Sequence, residues 1–234
     1  RAVASAREIS YDRGKGGDGV IEILEQTPGL VVCIKPVGVH AQGEAEADLP
    51  ALLKRQLGCE IYPVHRLDQA VGGVMVFAKT APAAAKLSQA IAGGALQKEY
   101  LAVLERSPER AEGELSDLLF HDRFKNKTYV VSKERKGVKK ASLSYRVVAE
   151  ADGLCLVHVR LHTGRTHQIR VHFSHMHHPL LGDTVYGSQK NPYHLEGQTL
   201  HAMVLGLIHP STGSYLEVTA PLPEYFQKLL KRFS

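Results

Sequence analysis

The chain has 234 residues and is 44% apolar, which is enough for one large domain with a full hydrophobic core. Its net charge of +5 indicates a mild preference for an anionic partner, and no apolar run approaches the roughly eighteen residues that cross a membrane. Three widely spaced cysteines (Cys33, Cys59 and Cys155) show neither CxxC spacing nor disulfide density, so we expect reduced thiols and a cytoplasmic protein.

The predicted elements are strands and hairpins interspersed with short helices. In the first half they are a hairpin over 20–35, a helix over 48–57 capped by Asp48, a strand over 74–79, a helix capped by Thr80 and a strand over 98–104. In the second half they are strands over 141–148 and 154–162, a helix capped by Thr166, a hairpin over 200–220 and a final amphipathic helix begun by Pro223.

Strands outnumber helices in this pattern, and hairpins join several of them. The sequence therefore predicts an α+β fold: one domain over residues 20–234, built on a mixed, largely antiparallel sheet flanked by helices. Residues 1–19 are polar and glycine-rich, and we expect them to form a flexible segment.

Positive charge is concentrated in one segment, 121–140, HDRFKNKTYVVSKERKGVKK. Eight Lys and Arg residues stand there against Asp122 and Glu134. A solvated loop or hairpin would account for this charge pattern by itself. The alternative is an arm that follows the phosphates of a nucleic acid.

Several other chemistries find no support in the motifs. Seven of the thirteen histidines lie between His158 and His178, but their spacing matches neither HExxH nor a zinc finger, and Asp183 is the only nearby carboxylate. The chain has no G-x-S-x-G elbow and no GxxxxGK[ST] loop. A glycosidase would need a second carboxylate, and none lies near Asp68 in sequence. We expect no metal site.

Two short motifs stand out. PVHRLDQAVGG, residues 63–73, sets Asp68 between Arg66 and two glycines; alone, it is most simply a turn aspartate that accepts from its own backbone. LHTGRTHQIRVH, residues 161–172, offers a helix start with arginines beside it, which suits a carboxylate or a phosphate. A well-capped surface helix would give the second motif equally well.

Taken together with KEY (98–100) and LLGDTVYG (180–187), these motifs resemble the RluA-type pseudouridine synthases. Supporting matches are IKP with His40 upstream, Lys140-Ala141, and LHA with His209-Pro210 downstream. The matches follow the family's order and cover roughly residues 20 to 230.

The resemblance implies the pseudouridine synthase fold and an isomerase that converts uridine in ribosomal or transfer RNA to pseudouridine. The N1–C1′ bond breaks, C5 joins C1′, and the nucleotide must first flip out of its stack. The family needs neither a cofactor nor a metal. We therefore expect a cytoplasmic monomer whose partner is RNA, with no membrane association.

The resemblance also assigns roles. Asp68 matches the essential aspartate, Tyr100 the tyrosine that stacks on the target base, and Arg170 the arginine that pairs with that aspartate. Arg66 matches the arginine that occupies the place of the flipped uridine, and Ile169 contributes to the apolar pocket wall. The other predicted RNA contacts are Arg165, His167 and Gln168 at the helix start and Lys133, Arg135 and Lys136 in the basic segment. We expect Gly72 and Gly73 to leave backbone room beside the flipped nucleotide.

Two alternatives stay open. A non-catalytic RNA-binding protein on the same scaffold would need neither Asp68 nor Tyr100, and a cofactor-independent hydrolase of a nucleoside or sugar would need a second carboxylate. Many family members carry a small RNA-binding domain before the catalytic one, and residues 1–19 are too short for it. We expect either a single-domain member or a chain from which that domain has been removed.

Overall fold

The structure, a computed structural model, describes residues 20–43, 46–187, 195 and 198–233. The predicted flexible segment, residues 1–19, lies outside them. The strands are β1 Ile23–Gln26, β2 Leu30–Lys35, β3 Tyr62–Pro63, β4 Gly72–Ala78, β5 Gln97–Leu104, β6 Glu112–Asp122, β7 Lys127–Val131, β8 Val138–Ala151, β9 Leu154–Leu161, β10 Leu200–Ile208 and β11 Tyr215–Thr219. The helices are α1 Leu49–Leu57, α2 Ala81–Ala92, α3 Gln168–His175 and α4 Glu224–Leu230, with a 3-10 turn over Lys231–Phe233.

These strands form one sheet in the order β1-β2-β4-β10-β5-β9-β8-β6-β7, with β3 paired to β4 and β11 to β10. Within the described residues, every named pairing is antiparallel except that of β4 with β10. The predicted α+β fold with a mixed, largely antiparallel sheet is confirmed. The basic segment spans the tip of the hairpin of β6 and β7, all of β7, and the connection to β8.

The alternation predicted along β5 sorts its side chains into two cores. Tyr100 and Ala102 face the main core on one side of the sheet. Leu101 and Val103 face a second core on the other side, where Phe226 of α4 is fully buried. The sequence placed these faces correctly because period-two alternation follows directly from strand geometry.

Helix starts were predicted correctly where the side chain of the capping residue accepts from the first turn of its own helix. The Asp48 carboxylate accepts a hydrogen bond of 3.0 Å from the Ala51 N–H, and Thr80 Oγ1 accepts one of 3.3 Å from the Ala83 N–H. Both helices also carry a proline in the first turn. These are the side-chain caps and pre-set backbone angles that start a helix.

The predicted Thr166 cap of α3 is wrong. The Thr166 hydroxyl accepts a 2.6 Å hydrogen bond from Arg66 Nη2, and the helix begins one residue later, after His167, whose φ of 56° is left-handed. The Thr166 carbonyl accepts from the Thr128 hydroxyl. A cap was expected from local sequence, but two partners far along the chain hold Thr166 instead.

The expected room at Gly72 and Gly73 is taken by protein rather than left for a nucleotide, so that expectation is wrong. Gly73 has φ +127°, and a Cβ there would overlap the backbone of Ala202 in β10. A Cβ at Gly72 would lie 3.2 Å from Val37 Cγ2. The glycines let β4 and β10 approach closely just after the loop that carries Asp68.

Candidate active site

Three segments distant in sequence meet at a cleft of about 370 Å³. The loop before β4 contributes Arg66 and Asp68, the start of β5 contributes Lys98 and Tyr100, and the segment 161–170 forms the facing wall. The volume lies within the ~300–1,000 Å³ range of small-molecule sites. The cleft can therefore accept a group the size of one nucleotide.

Arg170 lies behind this cleft and joins two carboxylates. Its Nη1 donates to Asp68 Oδ2 at 2.9 Å, while Nε and Nη2 donate to Asp183 Oδ2 and Oδ1 at 2.7 and 3.0 Å. The side chains of Arg170 and Asp183 are 5% and 0% exposed, whereas that of Asp68 is 22% exposed. The predicted contact between Arg170 and Asp68 is therefore present, and Asp68 is the member of the trio that a ligand can reach.

The second carboxylate, Asp183, is a partner of Arg170 that the sequence suggested only as a metal-ligand candidate. It is fixed by two backbone donors as well, the N–H groups of Val185 and Tyr186. Burial disfavours the charge of Arg170, but the hydrogen bonds and charges of Asp183 and Asp68 raise its pKa above the usual value. The motif LLGDTVYG was the signal, but the sequence does not show what its aspartate contacts.

Tyr100 and Lys98 line the cleft from β5. Burial of the Tyr100 phenol, together with the negative charge of Asp68, raises its pKa, so the ring stays neutral and protonated. Burial and then the charge of Arg165 lower the pKa of Lys98. A neutral aromatic ring and an amine thus face the space beside Asp68.

His167 is placed beside Asp68 by its left-handed backbone. Its Nε2 lies 3.7 Å from Asp68 Oδ2, and its Nδ1 lies 2.9 Å from the Tyr186 hydroxyl, which also accepts from the Thr128 N–H at 2.6 Å. Burial lowers the pKa of His167 to about 4, with Asp68 opposing the shift. The imidazole is therefore neutral at pH 7.

The remaining residues predicted to contact RNA from the cleft wall differ in how exposed their side chains are. Arg165 is exposed, and its Nε donates to the Lys140 carbonyl. Gln168 is buried and uses its amide on Thr163, on the Arg165 N–H and on the Ser142 carbonyl, so it holds the loop in place. Ile169 is buried and lines the cleft, and Arg66 is exposed at its edge. Their contacts with RNA stay predictions.

The basic residues Lys133, Arg135 and Lys136 are exposed in the connection between β7 and β8. The Arg135 guanidinium lies 4.7 Å from the centre of the Phe120 ring. The neighbouring strand β7 contacts the cleft wall, because the Thr128 hydroxyl donates to the Thr166 carbonyl. The segment is thus continuous with the site, and its role in RNA binding stays a prediction.

Across the residues that the structure describes, no three His, Cys, Asp or Glu side chains are grouped in a way that could hold a metal ion. Asp183, the carboxylate nearest the histidine-rich stretch in sequence, is paired with Arg170. Among the same described residues, no helix has the length and apolar character needed to cross a membrane.

Comparison with known proteins identifies the family. Residues 29–175 match the family model described as RNA pseudouridylate synthase. The chain belongs to this family. The predicted recognition and the predicted class, an RNA pseudouridine synthase among the isomerases, are confirmed.

Individual relatives agree with this membership. The chain is 35% identical over 230 residues to the ribosomal large subunit pseudouridine synthase D of Zymomonas mobilis, covering 90% of this chain and 72% of that one. It is 30% identical over 237 residues to the tRNA pseudouridine synthase C of Vibrio cholerae, covering 92% and 96%. Among solved structures, human RNA pseudouridylate synthase domain containing 4 superimposes with a TM-score of 0.74 at 26% identity, covering 91% of this chain and 92% of that one. Against several further bacterial relatives, the chain spans only 54–65% of their length.

Proposed function

We propose that the protein isomerises uridine to pseudouridine in ribosomal or transfer RNA, with Asp68 as the catalytic carboxylate. The observation that carries this proposal is the Asp68–Arg170–Asp183 arrangement beside Tyr100: one reachable carboxylate is oriented by a buried arginine that a second carboxylate fixes. The relatives named above, one acting on the large ribosomal subunit and one on tRNA, support both RNA classes as substrates.

The geometry suits a flipped nucleotide. A base extruded from its stack loses a few kcal/mol of stacking and pairing, and a face of Tyr100 in the cleft can restore about 1–3 kcal/mol. Asp68 then lies where a carboxylate can attack the sugar or the ring or remove a ribose proton, and Arg170 keeps it oriented. The N1–C1′ bond breaks and C5 joins C1′. The hydrogen on C5 then leaves as a proton and N1 gains one, so the product is an isomer of the substrate.

The same trio argues against the hydrolase alternative. Such an enzyme would need a second carboxylate able to reach the substrate. Asp183 is the carboxylate that approaches the site, but it is fully buried and both its oxygens accept from Arg170. The non-catalytic alternative does not account for a buried arginine that orients one partly exposed aspartate. A cytoplasmic location and a monomeric state stay predictions.

RNA labelled with tritium at uridine C5 tests the proposal, because joining C5 to C1′ displaces that label as a proton, whereas hydrolysis of the N1–C1′ bond leaves it on the base. We expect release by the wild type on bulk ribosomal or transfer RNA and at least a 1,000-fold loss in Asp68→Asn, since removing an essential nucleophile is a severe defect. Asp152→Asn is the matched control, because Asp152 is an exposed residue paired with Arg232 away from the cleft. Full release by Asp68→Asn would refute the assignment of Asp68, and no release on either RNA would refute the function.

A further inference from the structure

The hairpin of β6 and β7 presents a fully exposed aromatic ring at its tip. Phe124 is 104% exposed, the highest value among the exposed large apolar residues of the described chain. Exposing a phenylalanine leaves its apolar surface in water, so this ring is available to a molecule outside the chain.

The tip is a built turn. Asp122 Oδ1 accepts from the N–H groups of Phe124 and Lys125 at 3.0 and 3.1 Å, and Asn126 takes the left-handed conformation with φ 44°. The strand pair of Asp122 with Lys127 closes the loop. An aspartate that bonds its own turn fixes the backbone, so the ring is presented from a defined position.

This tip adjoins the candidate active site. The His121 ring, three residues before Phe124, lies 5.9 Å from the His167 ring, and His167 Nε2 lies 3.7 Å from Asp68. Thr128, on the returning strand, donates to the Thr166 carbonyl in the cleft wall. The turn is therefore anchored to the cleft wall on both sides, and a molecule in the cleft passes close to it.

The charges around the Phe124 ring indicate which kind of molecule binds there. Arg123 and Lys125 are exposed on either side of Phe124. Arg66 lies on the same side of the cleft, because it donates to the hydroxyl of Thr166, whose carbonyl accepts from Thr128 of β7. A second copy of this chain docking through Phe124 would bring these cations against their own counterparts. RNA offers phosphates for the cations and an unpaired base for the ring, which is how single-stranded nucleic acid is held.

We propose that Phe124 stacks on an unpaired base of the RNA that flanks the target uridine, with Arg123 and Lys125 on the adjacent phosphates. This inference rests on the proposed function and adds to it a second aromatic contact outside the cleft. Tyr100 holds the flipped uridine, and Phe124 holds a neighbouring nucleotide. The RNA at the site is then single-stranded or opened beside the target.

The chain contains no tryptophan, so the tryptophan fluorescence of Phe124→Trp comes from position 124 alone. We expect bulk bacterial transfer RNA or ribosomal RNA to quench its fluorescence upon binding, because a stacked base quenches an indole. Val148→Trp is the matched control: Val148 is exposed at the bulge of β8, far along that strand from the hairpin tip, and its fluorescence should not change. Unchanged Phe124→Trp fluorescence in a sample whose RNA is bound by filter assay would overturn the proposal.

Affinity supplies the second readout. We expect Phe124→Ala to raise the Kd for the same RNA about 5- to 100-fold, Phe124→Leu to resemble Ala, and Phe124→Tyr to restore binding. Equal affinity of the Ala and Tyr variants would overturn the proposal, as would a dimer in sedimentation that Phe124→Ala dissociates without changing RNA affinity.

The function and the Phe124 contact can fail separately. If tritium release fails while Phe124→Trp is quenched, the function is wrong and the contact stands. If RNA is bound and isomerised but the Phe124→Trp fluorescence is not quenched, the proposed function stands and the Phe124 contact is wrong. If RNA is not bound at all, both the function and the contact are refuted.

Discussion

Arg170 satisfies two carboxylates with one planar group. Its Nε and Nη2 are held by Asp183, so Nη1 is left at a fixed position 2.9 Å from Asp68. The two contacts have different purposes: the Asp183 pair is buried and sets the geometry, and the Asp68 pair faces the cleft. Only a guanidinium has the fork that both contacts require.

We expect Arg170→Lys to lower kcat at least about 100-fold while the protein still folds, because a lysine can reach only one carboxylate and Asp68 loses its orientation. The buried Asp183 would be incompletely paired, so the free energy of unfolding should also fall, by up to about 3–5 kcal/mol. Tritium release and urea unfolding measure the two effects. Arg146→Lys, an exposed arginine on β8, is the control and should change neither. Wild-type activity in Arg170→Lys would contradict the orienting role.

Lys35 is a buried cation that supports the same loop. Its side chain is 0% exposed, and its Nζ donates to the carbonyls of Pro36 and Gln69, the latter next to Asp68. Burial lowers its pKa from 10.5 to about 8, although the charge of Asp68 opposes the shift. The charged form is thus disfavoured in the folded state relative to the unfolded chain.

This sets the sign of a pH effect. Between about pH 8 and 10.5 the unfolded chain keeps the Lys35 proton and the folded protein releases it, so this residue makes the folded state more stable as the pH rises, by roughly 3 kcal/mol at most. We expect the difference in unfolding free energy between wild type and Lys35→Met to change in that window and to be constant between pH 6 and 7. Urea unfolding across the pH range measures it. A constant difference up to pH 10.5 would contradict the buried titration.

Among the elements, the contact of β4 with β10 leaves no space for a side chain at Gly73. It is the parallel pairing in an otherwise antiparallel set of described strands, it pairs Gly72 with His201 and Gly73 with Ala202, and Gly73 faces the Ala202 backbone. We expect Gly73→Ala to cost about 3 kcal/mol or more, because both the left-handed φ and the missing space oppose a side chain. Gly93→Ala is the control, since its φ is −78° and its nearest contact would be 3.5 Å. Urea unfolding that gives the two variants equal stability would contradict this reading.

Local sequence was a good guide to elements and a poor one to their ends where distant residues intervene. The hairpins, the Asp48 and Thr80 caps and the faces of β5 follow from periodicity and capping chemistry, which act within a few residues. The start of α3 does not follow from these rules, because the Thr166 hydroxyl accepts a hydrogen bond from Arg66, which lies 100 residues away in sequence. The space beside Gly73 was likewise decided by a strand more than a hundred residues away.

At the scale of the whole molecule, the site exists only in the assembled sheet. Asp68 and Arg170 are 102 residues apart, and Tyr100 comes from a third segment. Their meeting was predicted from the family resemblance and not from periodicity, because no local rule brings such segments together. Asp183 was missed as the partner of Arg170 for the same reason, since nothing near it in sequence shows what it faces.

The charge distribution predicts how the surface as a whole binds RNA. Lys133, Arg135 and Lys136 are exposed in the segment that continues from the cleft wall. If each lies near a phosphate, changing all three to Ala should make the plot of log Kobs against log salt shallower by about 2–3, since each contact releases roughly one counterion. Lys54, Arg55 and Lys228, cations of α1 and α4 that do not line the cleft, form the control triple and should leave the slope unchanged. Equal slopes for the wild type and the first triple, measured by filter binding between 50 and 300 mM salt (about a sixfold range), would show that the basic segment is only solvated surface.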